Sequence, residues 1–164
     1  CVRDLRIAQI YEGTNGIQSQ DLIGRKTIKS EGAYLKAYID EIRDFANQMD
    51  AELNFIKDAT LDAATELESV TQFILEAAQE NPNFANAVAV DYLHALGLLS
   101  FSYMFARIAE AAQDKSAPFY QAKINLAIYF VQRVLPELPM RISKIKAGAD
   151  VIMRFSPEYF TQQA

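Results

Sequence analysis

The stretch "NAVAVDYLHALGLLSFSYMFARIAEAA", residues 86–112, decides the fold class of this chain, because its apolar residues cover nearly the whole circumference of a helix. A helix of that kind lies either in the centre of a bundle or across a membrane. Polar and charged residues interrupt it at Asp91, His94, Ser100, Ser102 and Arg107. Since such residues are unfavourable inside a bilayer, we predict a buried central helix of a soluble bundle, running from Pro82 to about Gln113.

The segments before this stretch have the apolar spacings of three and four that predict amphipathic helices. After Ser30 and Gly32, a second helix has its apolar positions at Leu35, Ile39, Ile42, Phe45, Met49, Leu53 and Ile56. A third helix, capped by Asp58 or Thr60 and ending at Glu80, has its apolar stripe at Ala64, Leu67, Val70, Ile74 and Ala78. At the next junction, Asn81 is predicted to cap the central helix and Pro82 to take its first position.

The remaining helices are predicted from their end signals. The first runs from Asn15, with Asn15 and Gln18 forming a capping box, to about Lys29. A fifth starts at Ser116 and Pro118, and Pro136 and Pro139 end it. A last helix extends from Met140 to about Phe155, with apolar positions at Ile142, Ile145, Ala149 and Ile152.

Together these patterns predict an all-α protein, an up-and-down helical bundle of four to five helices preceded by an N-terminal arm and one helix. The segment "KSEG", residues 29–32, interrupts the periodicity. We therefore divide the chain into residues 1–30, which hold the arm and the first helix, and residues 31–164, which hold the bundle.

Composition narrows the functional classes. A net charge of -5 and a pI near 4.9 disfavour a nucleic-acid binder or a membrane-surface binder. With Cys1 as the single cysteine and with one histidine, neither an internal disulfide nor a Cys/His zinc cluster can form, so we predict no metal site and a reducing, cytoplasmic location. The chain opens on Cys1 with no secretory signal pattern, and we expect it to continue a longer polypeptide.

A second informative stretch, "IYEGTNGIQ", covers residues 10–18 and places a carboxylate between an aromatic residue and a tight turn. Partial desolvation there would raise the pKa of Glu12 toward the range of a general base. Gly13 and Gly16 leave the backbone accessible, while Thr14 and Asn15 offer donors at a helix N-terminus. The same residues are also compatible with a helix-capping turn that carries an ordinary surface glutamate.

The longer stretch "RDLRIAQIYEGTNGIQ", continued by "DLIGRKTI", resembles the signature near the carboxyl end of the flavin-dependent acyl-CoA dehydrogenases. The rest of the chain, with "KAGADVIM" near its end, is similar to the extra helical domain of the longer family members, the group that includes methylmercaptopropionyl-CoA dehydrogenase. The resemblance implies that the chain is the C-terminal portion of such an enzyme.

Site roles follow from that resemblance, position by position. It implies that Glu12 is the catalytic base that removes the α-proton of an acyl-CoA thioester, giving a trans-2-enoyl-CoA. Gly13 and Tyr11 would contact substrate, and Thr14, Asn15 and Gly16 would contact FAD. Many relatives have Ser-Gln where this chain has Asn15 and Gly16, so the side-chain contact to the flavin at position 16 is lost or is replaced by a backbone contact. Implied partners are acyl-CoA, an electron-transfer flavoprotein or similar acceptor, and further copies of the chain, as a dimer or tetramer.

Two alternatives stay open at this point, a piece of a flavin dehydrogenase and a non-catalytic module. In the second, the chain is an interaction or oligomerisation module in which "YEGTNG" is a capped turn. As a piece of a flavin dehydrogenase, it should neither retain FAD nor turn over alone, because the segments that complete the site are absent. His94, one turn after Asp91, is interpreted as a core residue rather than half of an acid-base pair.

Overall fold

The computed structural model describes residues 14–161, and over these residues the chain is built from helices and turns without a strand. This confirms the predicted all-α class. The principal elements, numbered here in chain order, are α1 (Asn15–Gln20), a π-helical segment (Asp21–Ile28), α2 (Ala33–Ala46), α3 (Asn54–Glu80), α4 (Phe84–Ala112), α5 (Pro118–Arg133), α6 (Glu137–Ala147) and α7 (Asp150–Met153). Short 3-10 turns occupy Ala51–Leu53 and Pro157–Phe160.

Helix α4 is the centre of the bundle, as its sequence predicts. It packs against α1, the π-helical segment, α3, α5 and α6. Its buried side chains join the main core with residues of the other helices, among them Ile23, Ile39, Leu67 and Ile145. A smaller cluster, which includes Met49, Ile56, Ala106, Ala127 and Val131, closes the end where the α2–α3 connection meets α4 and α5.

Cross-helix hydrogen bonds show that α3 and α4 run antiparallel. Between α3 and α4, the hydroxyls of Thr60 and Ser102 lie 2.8 Å apart, and those of Thr71 and Tyr92 lie 3.0 Å apart. All four side chains are buried. Because a buried hydroxyl without a partner costs about 1–3 kcal/mol, these pairs fix the register between the two longest helices.

The predicted second helix is too long, because the chain turns after Ala46. Asn47 to Asp50 form a turn, and the Asp50 carboxylate accepts a hydrogen bond from the Glu52 N–H at 2.7 Å. Short polar side chains of this kind compete for backbone groups and break helices. Met49 and Leu53 stay buried beyond the end of α2, which is why the apolar spacing continues through the turn.

The predicted helix starts at Asp58 or Thr60 and at Pro82 are wrong by a few residues. Helix α3 begins at Asn54, and the Thr60 hydroxyl instead donates to the Ile56 carbonyl at 2.9 Å. Helix α4 begins at Phe84, after a turn in which the Asn81 side-chain oxygen accepts from the Asn83 N–H at 2.9 Å. The predicted start of α5 is confirmed, with Pro118 in its first turn.

Proline and glycine residues make the C-terminal helices begin and end at residues other than those predicted. Pro136 is the N-cap of α6, and Pro139 lies in its first turn, where a missing N–H leaves no intrahelical bond unmade. Helix α6 therefore starts before the predicted Met140. It ends at Ala147, because Gly148 adopts φ 69° and ψ -159°, a conformation that only glycine adopts readily. The last predicted turns form the separate short helix α7.

One face of α4 is exposed, which differs from the prediction of a helix buried all round. The helix is long and apolar enough to cross a membrane by length and composition. Twelve of its residues are buried among the other helices, so it is a core helix of the bundle. His94 lies on the exposed face, so its interpretation as a core residue is wrong.

Candidate functional site

The part of the "YEGTNG" motif that the structure describes forms the amino end of α1. Thr14 is the N-cap residue, and its carbonyl accepts from the Gln18 N–H at 2.8 Å. Asn15 is the first helical residue, so the predicted capping role of its side chain is wrong. Tyr11, Glu12 and Gly13 lie outside the described residues, and their predicted roles stay predictions.

This helix end is open to solvent. Asn15 and Gly16 are exposed, and a Cβ added at Gly16 would meet nothing within 4 Å. The Ser19 hydroxyl donates to the Gly16 carbonyl at 2.7 Å and holds the first turn in place. An electron-rich group could therefore approach the first-turn N–H groups of α1 without displacing any described side chain.

Helix α1 passes directly into the π-helical segment, whose backbone bonds span five residues. The Lys29 N–H donates to the Gly24 carbonyl at 3.0 Å, and the Gly32 N–H donates to the Thr27 carbonyl at 2.9 Å. The Thr27 hydroxyl donates to the Leu22 carbonyl at 3.0 Å, so a buried side chain reinforces the wide turn. Segments of this type are rare and occur often at functional sites.

A cavity of about 730 Å³ lies beside this segment. It is bounded by the π-helical segment, α2 and α4, and its apolar and aromatic lining includes Leu22, Tyr34, Tyr38, Tyr92 and Leu96. Its size and composition are those of small-molecule sites, which are mostly apolar with a few polar groups. Four other cavities among the described residues are smaller, at about 220–430 Å³.

Tyr92 provides a fixed polar group in the cavity wall. Its hydroxyl oxygen lies 3.0 Å from the Thr71 hydroxyl and 3.4 Å from the Thr27 hydroxyl. The Thr27 hydroxyl donates to the Tyr92 oxygen, and either hydroxyl of the Thr71–Tyr92 pair could be the donor. Both threonine hydroxyls also lie within hydrogen-bond distance of a backbone carbonyl, that of Leu22 for Thr27 and that of Leu67 for Thr71. Burial raises the pKa of Tyr92, and the hydrogen bonds with Thr27 and Thr71 partly oppose that rise.

Three cationic residues, Arg25, Lys26 and Lys29, also line the cavity. The Asp21 carboxylate lies 3.0 Å from Arg25 Nε and 3.3 Å from Lys26 Nζ. One carboxylate among three cations leaves this rim positive, although the chain as a whole is acidic. This cationic group was not predicted from the sequence, where the run "GRKTIK", residues 24–29, was the available signal.

The other polar residues singled out in the sequence do not form a site. Asp91 pairs with Arg141 at 2.8 Å, so it does not form an acid-base pair with His94. Within the described part of the chain, no group of three His, Cys, Asp or Glu side chains could hold a metal ion.

Comparison with known proteins adds independent information. Residues 38–156 match the family described as acetyl-CoA dehydrogenase C-terminal like. The chain is 32% identical to 3-methylmercaptopropionyl-CoA dehydrogenase from Ruegeria pomeroyi, over 94% of this chain and 28% of that protein. It is 27% identical to the broad-specificity linear acyl-CoA dehydrogenase FadE5 from Mycobacterium tuberculosis, over 97% of this chain and 29% of that protein. A butyryl-CoA dehydrogenase from Syntrophomonas wolfei is 30% identical over 82% of this chain and 24% of the relative.

The chain therefore spans less than a third of the length of these relatives. The family match covers α3 to α7 and most of α2, whereas the alignments with the relatives cover most of the chain. The chain belongs to the acyl-CoA dehydrogenase family and contains the helical C-terminal domain of its members.

Proposed function

We propose that this chain is the C-terminal part of a FAD-dependent acyl-CoA dehydrogenase and that Glu12 is the catalytic base of the full-length enzyme. The reaction converts an acyl-CoA thioester into its trans-2-enoyl-CoA. The relatives named above are an acyl-CoA dehydrogenase of broad specificity and dehydrogenases of methylmercaptopropionyl-CoA and butyryl-CoA, which supports this reaction class.

In the proposed reaction, Glu12 accepts the proton that the substrate loses. Its carboxylate takes the α-proton of the thioester, and the α-carbon electron pair forms the new double bond as the β-hydrogen leaves with its own pair. FAD, when bound, accepts that hydride. The Glu12 N–H donates to the thioester oxygen and stabilises the charge that develops there. Exclusion of water by the completed site keeps the carboxylate sufficiently basic.

The observation that carries the proposal is the open amino end of α1, directly after the "YEGT" motif. Asn15 and Gly16 are exposed, and the backbone at Gly16 has free space beside it. This exposed helix end is a surface that other domains of a longer polypeptide can complete. If the described helices had enclosed this end, no cofactor and substrate could meet beside Glu12.

The cavity beside the π-helical segment suits the nucleotide end of CoA. That end carries an adenine ring and phosphates, and the cavity combines aromatic walls with the cations Arg25, Lys26 and Lys29. We infer that these residues contact the nucleotide while the thioester reaches Glu12. In this arrangement, one continuous segment of the chain would contact both ends of the substrate.

The remaining functional assignments are also proposals. The full-length enzyme would pass its electrons to an electron-transfer flavoprotein or a similar acceptor and would act in the cytoplasm as a homo-oligomer. The 164-residue chain alone would neither retain FAD nor turn over, because Thr14, Asn15 and Gly16 supply only one side of a flavin site.

The decisive experiment is Glu12→Gln in the full-length enzyme. We expect dehydrogenation to fall by about two to four orders of magnitude, since a positioned base contributes 10²–10⁴-fold and amides are not bases. The flavin spectrum should be retained, which separates loss of chemistry from loss of cofactor. Glu66→Gln, at an exposed position on α3, is the matched control and should keep full activity. Retained activity in the Glu12 variant would refute the proposal.

A further inference from the structure

The Thr27 hydroxyl makes a hydrogen bond of unusual span. It lies 3.0 Å from the Leu22 carbonyl oxygen, five residues earlier in the chain. On the α-helix α3, the hydroxyls of Thr60, Thr65 and Thr71 instead bond to carbonyls four residues earlier. A span of five fits the wider turn of a π-helix, in which the backbone bonds also span five residues. The Thr27 hydroxyl therefore stabilises the π-helical form of this segment rather than an α-helical form.

The buried residues of this part of the chain follow the same wide turn. Ser19, Ile23 and Thr27 are 1%, 1% and 3% exposed, and each lies four residues after the one before it. An α-helix keeps one face inward by mixing steps of three and four, since it has 3.6 residues per turn. Successive steps of four keep one face inward where a turn contains more residues. The wide turn therefore lets these three side chains face the bundle together.

Helix α1 depends on this segment for its orientation. Within α1, Ser19 alone is buried, and the helix continues into the π-helical segment without a break. A turn with bonds five residues apart holds about one residue more than an α-helical turn. One residue of an α-helix corresponds to roughly 100° of rotation and about 1.5 Å of rise. Loss of the wide turn would therefore rotate the amino end of α1 relative to the bundle by roughly that angle.

The same hydroxyl attaches the wide turn to the bundle. Thr27 Oγ1 lies 3.4 Å from the Tyr92 hydroxyl oxygen on α4, and the Tyr92 oxygen lies 3.0 Å from that of Thr71 on α3. All three side chains are buried. Thr27 therefore joins the segment that follows α1 to the two longest helices of the bundle.

We propose that Thr27 is a positioning residue for the dehydrogenation reaction. By holding the wide turn, it fixes the direction of the amino end of α1, where residues 14–16 would contact FAD. Glu12 directly precedes these residues in the chain. The inference rests on the proposed function, because it requires a reaction at that end of the helix. Thr27 lies at the other end of the helical run, so it acts through α1 and not by contact with the reacting atoms.

Thr71 supplies a matched comparison that separates positioning from a purely structural role. Its hydroxyl also lies near a backbone carbonyl and near the Tyr92 hydroxyl, at 2.7 Å and 3.0 Å. Thr71 is 4% exposed, but it lies on α3 and not in the helical run that begins with α1. Removing either threonine hydroxyl takes two contacts from the same buried network, whereas only Thr27 loses a contact across the wide turn. A purely structural role predicts equal effects on activity, and a positioning role predicts different ones.

The first experiment compares Thr27→Val with Thr71→Val in the full-length enzyme, with rates expressed per bound flavin. Valine has nearly the shape of threonine without the hydroxyl, so each variant loses hydrogen bonds and keeps most of its packing. We expect kcat of Thr27→Val to fall about tenfold to hundredfold with KM for acyl-CoA nearly unchanged, because small misplacements of reacting groups have effects of that size. Thr71→Val should keep its kcat while losing similar stability in urea denaturation.

Two further measurements examine the wide turn itself. Thr27→Ser restores a hydroxyl at the same position and should recover most of kcat. Hydrogen exchange followed by mass spectrometry in the full-length variants should be faster across residues 15–32 in Thr27→Val than in Thr71→Val, because the loosened turn opens more often. If Thr27→Val does not accumulate as a folded enzyme, Thr27→Cys takes its place, since its thiol is only a weak donor and should lower kcat in the same direction.

Three results would overturn the proposal. They are equal kcat values in Thr27→Val and Thr71→Val, a raised KM with unchanged kcat in Thr27→Val, and equal hydrogen exchange across residues 15–32 in the two variants. An inactive Glu12→Gln enzyme together with a normal Thr27→Val enzyme would refute the positioning role and leave the assigned base intact. An active Glu12→Gln enzyme would refute the base whatever Thr27→Val does, so the two failures can be told apart.

Discussion

Arg141 on α6 and Asp91 on α4 form an ion pair, with Arg141 Nη1 2.8 Å from the Asp91 carboxylate. The two side chains are only 21% and 24% exposed, and the Arg141 Nε atom is buried without a hydrogen-bond partner among the described residues. The pair joins the central helix to a short helix near the end of the chain. Because Asp91 is paired with Arg141, it does not form an acid-base pair with His94.

Removing one member of this pair should destabilise the bundle. Asp91→Ala leaves the guanidinium partly buried and unpaired, and we expect a loss of about 1–3 kcal/mol in the free energy of unfolding. Urea denaturation measures it, and Arg141→Met together with the double variant closes a mutant cycle. Asp40→Ala, which removes an exposed pair with Lys36, is the control and should change stability little. Equal effects of the two substitutions would contradict the proposed importance of burial.

Gly148 should tolerate no side chain. Its φ is 69°, and an added Cβ would lie 3.2 Å from Phe84 Cε2 in the core. Gly148→Ala should therefore lower the free energy of unfolding by about 1–3 kcal/mol, because backbone strain and a steric contact act together. Gly24→Ala adds a methyl group in open space and should cost far less. Thermal unfolding of the two variants side by side provides the measurement.

Two tyrosines should make the bundle sensitive to alkali. Burial raises the pKa of Tyr92, and burial together with the hydrogen bond to Glu41 raises the pKa of Tyr103. Below the unfolded pKa of about 10, both states are protonated and the full stability is present. As pH rises above about 10, the unfolded state loses these protons first, so stability falls.

Tyr92→Phe tests this alkaline dependence. The variant should lose about 1 kcal/mol at neutral pH, where the Thr27 and Thr71 hydroxyls keep their backbone partners. Its stability should decline less steeply between pH 9 and 11 than that of the unmodified chain. Tyr34→Phe alters an exposed side chain and serves as the control. An unchanged slope in the Tyr92 variant would show that other groups govern the alkaline transition.

Neutralising the cavity rim should weaken substrate binding in the full-length enzyme. We expect Arg25→Gln and Lys29→Gln each to raise KM for acyl-CoA about threefold to tenfold, roughly 0.7–1.4 kcal/mol, with kcat unchanged. The effect should disappear with an acyl-pantetheine substrate, which lacks the nucleotide. Lys36→Gln, at a residue that does not line the cavity, is the matched control. A KM increase that persists with acyl-pantetheine would place the nucleotide elsewhere.

The sequence was informative where a single segment decides its own structure. The apolar run of α4 predicted the central helix, and Pro118 predicted the start of α5, because helical period and proline geometry act within a few residues. The motif around Glu12 indicated the family through residues that are adjacent in the chain, and the family match agrees. No described residue tests the role of Glu12 itself.

Features that depend on contacts between residues far apart in the chain could be determined only from the structure. Asn47 to Asp50 end α2 although the apolar spacing continues, since the chain can turn while Met49 and Leu53 remain buried. The cavity joins Arg25 and Lys29 to Tyr92, more than sixty residues away, and periodicity contains no information about such a distance.

Sequence by itself therefore determined the helical class, the central helix and the family, because hydrophobic period and local motifs are properties of neighbouring residues. Only the tertiary structure decided which face of α4 is left uncovered, which partner Asp91 takes and where a cavity opens. These depend on how helices pack, and packing is set by side chains far apart in the chain.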